Sequence, residues 1–250
     1  MSTEPGVIRL QADGPADQGL KPLKLNPADF QSPLPVQNNH LYFSDPVKGL
    51  NVGVWDTTTM QEAFGPYPGD EFIVVLEGRF EMVDGKGKGV PGRKGQSVIF
   101  RNGIPTSWKQ DGYLKKFYVT LRKSDDPPPQ IDSAEGGVIV LDPDMTLSDS
   151  DAVSRSNSGA KQRERVIFTN DTGTMEVGLW DTEAYTSEPF AFPSHEFVQV
   201  LDGGVSITTT DGTRQTFVAG DVFFIAKGTV TTWEVPTYLR KYYAAVDSAK

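Results

Sequence analysis

The sequence predicts an all-β protein built from two copies of one sandwich or barrel domain, and three observations carry that prediction. The first is an internal repeat. EFIVVLEG at Glu71–Gly78 returns as EFVQVLDG at Glu196–Gly203, and Trp55 with Trp180, Trp108 with Trp233 and Lys116 with Lys241 keep the same spacing of 125 residues in a chain of 250. A repeat of that length is a duplicated domain and not a solenoid unit of about 20 to 50 residues. The second is apolar alternation with a period of two, as in Leu50, Val52, Val54 and again Met175, Val177, Leu179, which is the mark of half-buried strands. The third is the recurrence of Asp84-Gly85, Asp111-Gly112 and Asp211-Gly212 between such runs, dipeptides that suit tight hairpins.

Taken in order, residues 1–20 are polar and rich in Gly, Pro and Asp, and a poorly ordered or surface-draped tail is expected there. A first domain is expected over 21–123, opening with KPLKLNP as its first strand. The basic run Lys86, Lys88, Arg93 and Lys94 lies in a Gly-rich stretch and reads as a solvated hairpin tip rather than an anion site. Residues 124–136 contain three consecutive prolines, which forbid helix and remove ladder donors, and form the linker. The second domain, 137–250, opens with GVIVLDP, matched to KPLKLNP. On that match it carries about nine extra residues in the Ser- and Asp-rich stretch Met145–Gln162.

With 37% hydrophobic residues and no long apolar run, the chain reads as soluble and globular. A formal charge of −9 opposes binding to nucleic acid and to anionic membranes, and neither is expected as a partner. The absence of cysteine excludes disulfides, thiolate nucleophiles and cysteine zinc sites. MSTEPGVIRLQADG has neither a basic leader nor an apolar core of signal-peptide length, so a cytoplasmic location is expected.

In the second copy, EFVQVLDG is followed by AGDVFFIAKGTVTTW and then RKYY; the first copy has DEFIVVLEG, KGQSVIFRNGIPTSW and KKFYV. These motifs, in this order and twice, resemble the cupin superfamily, and more narrowly the cupin domains of the ureidoglycine-aminohydrolase type. The resemblance spans roughly residues 43–122 and 168–246. It implies two tandem cupin barrels (double-stranded β-helices, or jelly rolls, RmlC-like), each enclosing a cavity. Metal-binding cupins place two His and a Glu in the first motif and another His in the second. Carried over, the Glu falls on Glu71 and Glu196, the paired His on Gly65 and Tyr67 and on Phe190 and Phe192, and the late His on Thr106 and Thr231. The whole chain has only His40 and His195, too few imidazoles for that site, so neither a metal nor another cofactor is expected. The ureidoglycine-aminohydrolase chemistry loses its support with the metal.

By the same analogy the Glu71 face of its strand looks into the barrel, together with Thr106, Trp108, Lys116 and Tyr118, each pair lying two residues apart. The second copy offers Glu196, Thr231, Trp233, Lys241 and Tyr243. Two readings stand. In one, Glu71 with Lys116 and Glu196 with Lys241 are acid–base pairs, while Tyr67, Thr106, Trp108, Tyr118, Thr231, Trp233 and Tyr243 line ligand sites for a small polar metabolite such as a ureide, amino-acid derivative or sugar. The protein is then a metal-independent isomerase, lyase or hydrolase. In the other, Glu and Lys form an internal ion pair inside an aromatic core, and the protein is a non-catalytic ligand sensor or structural bicupin. Phe190 and Phe192 would plug the second cavity, which favours the first. Trp55 and Trp180 either line the pocket or seal the contact between the copies, with packing preferred; Asp56 and Asp181 are assigned to the following turns, and His40 and His195 to satisfied positions away from chemistry. A monomer or homodimer is expected.

Overall fold

The computed structural model describes residues 6–16, 18–122, 128–129, 131, 137–153 and 159–247. In chain order the strands are β1 (Val7–Arg9), β2 (Lys21–Pro22), β3 (Gln37–Asp45), β4 (Leu50–Thr57), β5 (Met60–Gln61), β6 (Gly65–Pro66), β7 (Asp70–Glu77), β8 (Arg79–Val83), β9 (Gly89–Arg93), β10 (Ser97–Phe100), β11 (Pro105–Gln110), β12 (Leu114–Leu121) and β13 (Val138–Val140). They continue as β14 (Ala152–Val153), β15 (Gln162–Thr169), β16 (Met175–Thr186), β17 (Phe190–Ala191), β18 (His195–Thr209), β19 (Arg214–Val218), β20 (Val222–Ile225) and β21 (Val230–Val246). The all-β expectation holds, and the strands group into two compact units, one built on Leu10–Asp142 and the other on Pro143–Lys250 together with the segment that contains β1. Among the described residues no helix is long and apolar enough to cross a membrane.

In the first unit one sheet runs β13-β10-β7-β12-β4-β3-β2 and a second runs β5-β11-β8-β9, with β6 beside β11. Ile73, Val75, Val98 and Phe100 of the first sheet meet Met60, Phe80, Met82 and Trp108 of the second in one buried cluster, so the core lies between two sheets, as in a jelly roll. The second unit orders its strands β1-β20-β18-β21-β16-β15-β14, with β17 on β21 and β19 on β18. Here β18 and β21, of 15 and 17 residues, run without a break through stretches that are separate strands in the first unit.

The repeated octapeptide ends in Gly because the chain turns there. Gly78 has φ +83° and Gly203 φ +70°, a region that L side chains disfavour, and a Cβ would overlap the carbonyl oxygen of Tyr113 or Tyr238. The register of β18 on β21 shifts at that glycine, which bends one strand from sheet to sheet.

The ends of the copies differ from the sequence reading. Val138–Val140 pairs with Phe100–Val98 of the first unit, and Val7–Arg9 pairs with Ile225–Phe223 of the second. Positions 100 and 225 are repeat equivalents, so GVIVL matches GVIRL at the amino terminus and not KPLKLNP. Each unit therefore takes an edge strand from beyond the boundary at which the sequence divides the domains. The expected tail instead contains a strand, and Arg9 adds an ion pair to Asp221 at 2.7 Å and a guanidinium 4.3 Å from the Phe217 ring. Leu10 is buried, and Gln11 exchanges two hydrogen bonds of 2.9 Å with the Tyr42 hydroxyl of the first unit. Of KPLKLNP only Lys21–Pro22 pairs, on Asn38 and Asn39 at the sheet edge, where a proline is tolerated. The expected insertion disappears with the corrected match, since Val138 to Gln162 is shorter than Val7 to Gln37. Within Met145–Gln162 residues 154–158, and within the 124–136 linker nearly all, lie outside the described residues. The basic run behaves as a solvated turn, with Asp84 Oδ1 accepting the amides of Lys86 and Lys88 at 2.8 and 2.9 Å.

Candidate functional site

Strand alternation places Glu71 on the inward face of β7 with Ile73 and Val75, and the pairing of β12 with β4 sets Lys116 opposite Trp55. The Lys116 ammonium lies 2.8 Å from Glu71 Oε1, both side chains being nearly shut off from solvent. It also sits 5.0 Å from the Trp55 ring and 4.7 Å from the Trp108 ring, which adds cation–π attraction of up to about 2 kcal/mol where water is excluded. The other carboxylate oxygen, Oε2, accepts the Tyr67 hydroxyl. Burial, then the charge and hydrogen bond of Glu71, raise the Tyr67 phenol well above its ordinary range, so Tyr67 acts as a neutral donor. Both oxygens of Glu71 are thus engaged within the protein.

A cavity of about 200 Å³ adjoins this cluster, lined by Gln37, Trp55, Met60, Glu62, Tyr67, Glu71, Trp108, Lys116, Tyr118 and Thr120. Tyr118 donates to Asn39 Oδ1 at 2.9 Å, and burial raises its phenol. It can lie across β4 because residue 53 is Gly; a Cβ there would meet the Tyr118 hydroxyl at 2.6 Å. Gln37 donates to Met60 Sδ at 3.2 Å and accepts from Trp55 Nε1 at 3.4 Å.

Glu62 stands at the edge of the cavity between β5 and β6. Its backbone is pinned to β11: its N–H donates to Trp108 O at 2.8 Å and its carbonyl accepts the Ser107 hydroxyl at 2.6 Å. Its carboxyl makes no hydrogen bond among the described residues. Burial pushes its pKa up to about 7, with Lys116 opposing and the charges of Glu71 and Asp29 adding to the rise.

The second unit repeats the cluster without the cavity's polar edge. Lys241 is hydrogen-bonded to Glu196 and lies 5.0 Å from both the Trp180 and Trp233 rings and 5.7 Å from Tyr243. Repeat equivalence is exact at the backbone, since Ser187 N–H donates to Trp233 O at 2.8 Å as Glu62 does to Trp108 O. Ser187 therefore replaces Glu62, and Phe192 replaces Tyr67. Phe192 is buried and stacks on Trp233 at 5.9 Å and 18°, the expected plug. Phe190 is exposed and does not fill the cavity; it lies in the short strand β17, paired on β21, which ends at Ala191, before Phe192.

The structure thus brings together Glu71, Lys116, Tyr67, Trp108 and Tyr118 around one cavity, and Glu196, Lys241, Trp233 and Tyr243 in the twin cluster. Thr106 does not line the cavity; it is buried and donates to Val83 O at 3.1 Å. Thr231 is buried, and its hydroxyl and the Trp233 indole N–H have no hydrogen-bond partner among the described residues. Of the two readings of Trp55 the structure favours the pocket over the preferred packing, since its ring faces Lys116 and lines the cavity; Trp180 lies in the core of its own unit. Asp56 and Asp181 bind across strands instead of starting turns: Asp56 accepts Asn38 at 2.7 Å and Tyr113 at 2.9 Å, and Asp181 accepts Arg163 at 2.8 and 2.7 Å. His195 is buried beside Phe224 and accepts the Lys227 amide at 3.2 Å; His40 packs edge-on to Tyr42 at 4.6 Å.

The residues at the metal-ligand positions do not fit a metal. Gly65 has no donor, Thr106 is turned to a backbone carbonyl, and a divalent ion on Glu71 would meet an ammonium already 2.8 Å from that carboxylate. Among the described residues no three His, Cys, Asp or Glu are grouped to hold one.

Sequence reading missed Glu62, Gln37 and Thr120. The signal available for Glu62 was a mismatch between copies, Glu against Ser at equivalent places.

Residues 169–243 match the family of EutQ-like cupin domains. No curated protein matches the chain. Among solved structures, a protein of unknown function from Pseudomonas syringae pv. tomato str. DC3000 is similar at TM-score 0.76 and 22% identity, covering 97% of this chain and 100% of that one. A cupin 2 conserved barrel domain protein from Leptotrichia buccalis is similar at TM-score 0.53 and 12% identity, over 86% and 90% of the two chains. A salicylate 1,2-dioxygenase from Pseudoaminobacter salicylatoxidans is similar at TM-score 0.52 and 9% identity, over 80% and 69%.

Proposed function

We propose that this protein, a cupin by fold, is a bicupin that binds a small polar metabolite in the barrel of its first unit, without a metal, and that its second barrel is structural. The observation that carries the reading is the difference between the two copies. Both have the Glu–Lys–Trp–Trp cluster, but the first adds a cavity of about 200 Å³ whose edge carries Glu62 and Tyr67, where the second has Ser187 and a stacked Phe192. A shared cluster serves the fold; the polar edge that only the first copy adds serves a ligand. The volume falls below the roughly 300–1,000 Å³ of sites for drug-sized compounds, which suits a ureide, an amino-acid derivative or a small sugar. The ureide draws on the sequence resemblance to ureidoglycine-aminohydrolase-type domains.

The ion pair of Lys116 with Glu71 supports the structural reading of those two residues, and Lys241 with Glu196 likewise. The lysine ammonium beside the place of a metal neutralises the Glu71 carboxylate. Should a ligand be turned over, the groups present suit proton transfer, as in isomerisation, elimination or hydrolysis.

Tryptophan fluorescence tests the placement. A metabolite found by thermal-shift screening is expected to change the emission of the native protein and of Trp180→Phe, and to lose most of that change when both cavity indoles are replaced, in Trp55→Phe with Trp108→Phe. The opposite pattern would move the ligand to the second barrel. Turnover of the same compound then separates an enzyme from a sensor.

A further inference from the structure

We propose that Glu62 is the ligand-recognition carboxyl of the first cavity and that it selects a small compound bearing a cationic nitrogen group, an ammonium or amidinium. The inference deepens the cavity reading above and rests on it. Its ground is the charge pattern. Lys116 and Glu71 cancel one another at 2.8 Å, and Tyr67 occupies the second oxygen of Glu71. Glu62 is then the carboxyl on the cavity wall with no hydrogen-bond partner among the described residues, while its backbone is fixed at 2.8 and 2.6 Å to β11. An ionised carboxyl that is half-buried without a partner is costly, and a cation brought by a ligand supplies that partner with charge-assisted hydrogen bonds. The second barrel has Ser187 at this place, whose hydroxyl instead accepts the Trp233 amide at 2.9 Å.

The titratable groups around Glu62 come from four elements: Lys116 on β12, Glu71 on β7, Tyr67 before β7, and Asp29 in the turn Pro27–Asp29. Burial is the largest influence and leaves Glu62 with a pKa of about 7. A cation binds the ionised form, so its affinity rises with pH up to that value and levels off above it. Between pH 6 and pH 8 the ionised fraction grows about tenfold, and the affinity with it.

Calorimetric titration of the full chain with methylguanidinium, its neutral isostere methylurea, and acetate tests this. Methylguanidinium is expected to bind about tenfold more tightly at pH 8 than at pH 6, with Glu62→Gln removing the rise and Glu62→Asp keeping part of it. Thermal unfolding of both variants checks that they remain folded. Methylurea or acetate binding as tightly as methylguanidinium, or a pH rise that persists in Glu62→Gln, would overturn the role of Glu62 and leave the cavity reading standing. If none of the three binds or protects the protein, while the thermal-shift screen also finds no ligand, the cavity reading itself falls.

Discussion

Removing Lys116 leaves Glu71 buried with Tyr67 alone to satisfy it, and removing Lys241 strips Glu196 of its ammonium. Breaking a buried pair from one side typically costs about 3–5 kcal/mol, because the remaining charge keeps its desolvation penalty. Lys116→Met and Lys241→Met are therefore each expected to destabilise the protein by roughly that amount in urea denaturation. The double change Lys241→Met with Glu196→Leu should recover much of the loss. A cost under about 1 kcal/mol for either lysine would show that the pair does not fix its barrel. Glu71, Lys116 and Trp108 were legible in sequence because period-two alternation and the cupin resemblance put them on one face. Thr106 was misread because alternation gives the face but not the rotamer, and its hydroxyl goes to a neighbouring carbonyl. Trp55 stayed open between pocket and packing because it is brought over Lys116 by pairing with β12, a long-range contact that no local pattern records.

Strands themselves were legible wherever the turn chemistry was strong. Gly112 and Gly212, with φ +81° and +84°, turn the chain at two of the three Asp-Gly pairs that the sequence singled out; at the third, Asp84-Gly85, the positive φ falls on Gly87 instead. What stayed hidden was which partner an edge strand takes, since GVIRL and GVIVL carry the same apolar pattern and suit either sheet. The exchange makes a sharp prediction for β1. Deleting residues 1–9 removes the strand paired with β20 and the Arg9 contacts to Asp221 and Phe217, but touches no pairing of β10. Hydrogen exchange is expected to quicken at Val222–Ile225 and to stay unchanged at Ser97–Phe100. Quickening at Ser97–Phe100 alone would mean that the amino-terminal strand completes the first unit instead.

At the scale of the molecule, the two exchanged strands tie the halves of the sequence together more firmly than a linker would. The amino-terminal half contributes β1 to the second unit and receives β13 from the carboxy-terminal half. A cut in 124–136 therefore leaves each unit with one of its strands on the other piece: the piece that ends there carries Val7–Arg9 of the second unit, and the piece that begins there carries Val138–Val140 of the first. Each pairing spans three half-buried residues at a sheet edge, with Val7 packed on the core of the second unit and Val138 and Val140 on that of the first. Burying such side chains contributes on the order of 1.5–3 kcal/mol apiece when complete, and two such attachments act together at high effective concentration. A chain with a specific protease site inserted in 124–136, cleaved while folded, is expected to elute as one species in size exclusion and to show two fragments only after denaturation. Fragments that separate under native conditions would mean that the exchanged strands contribute little, and that each half folds on the boundary the sequence drew.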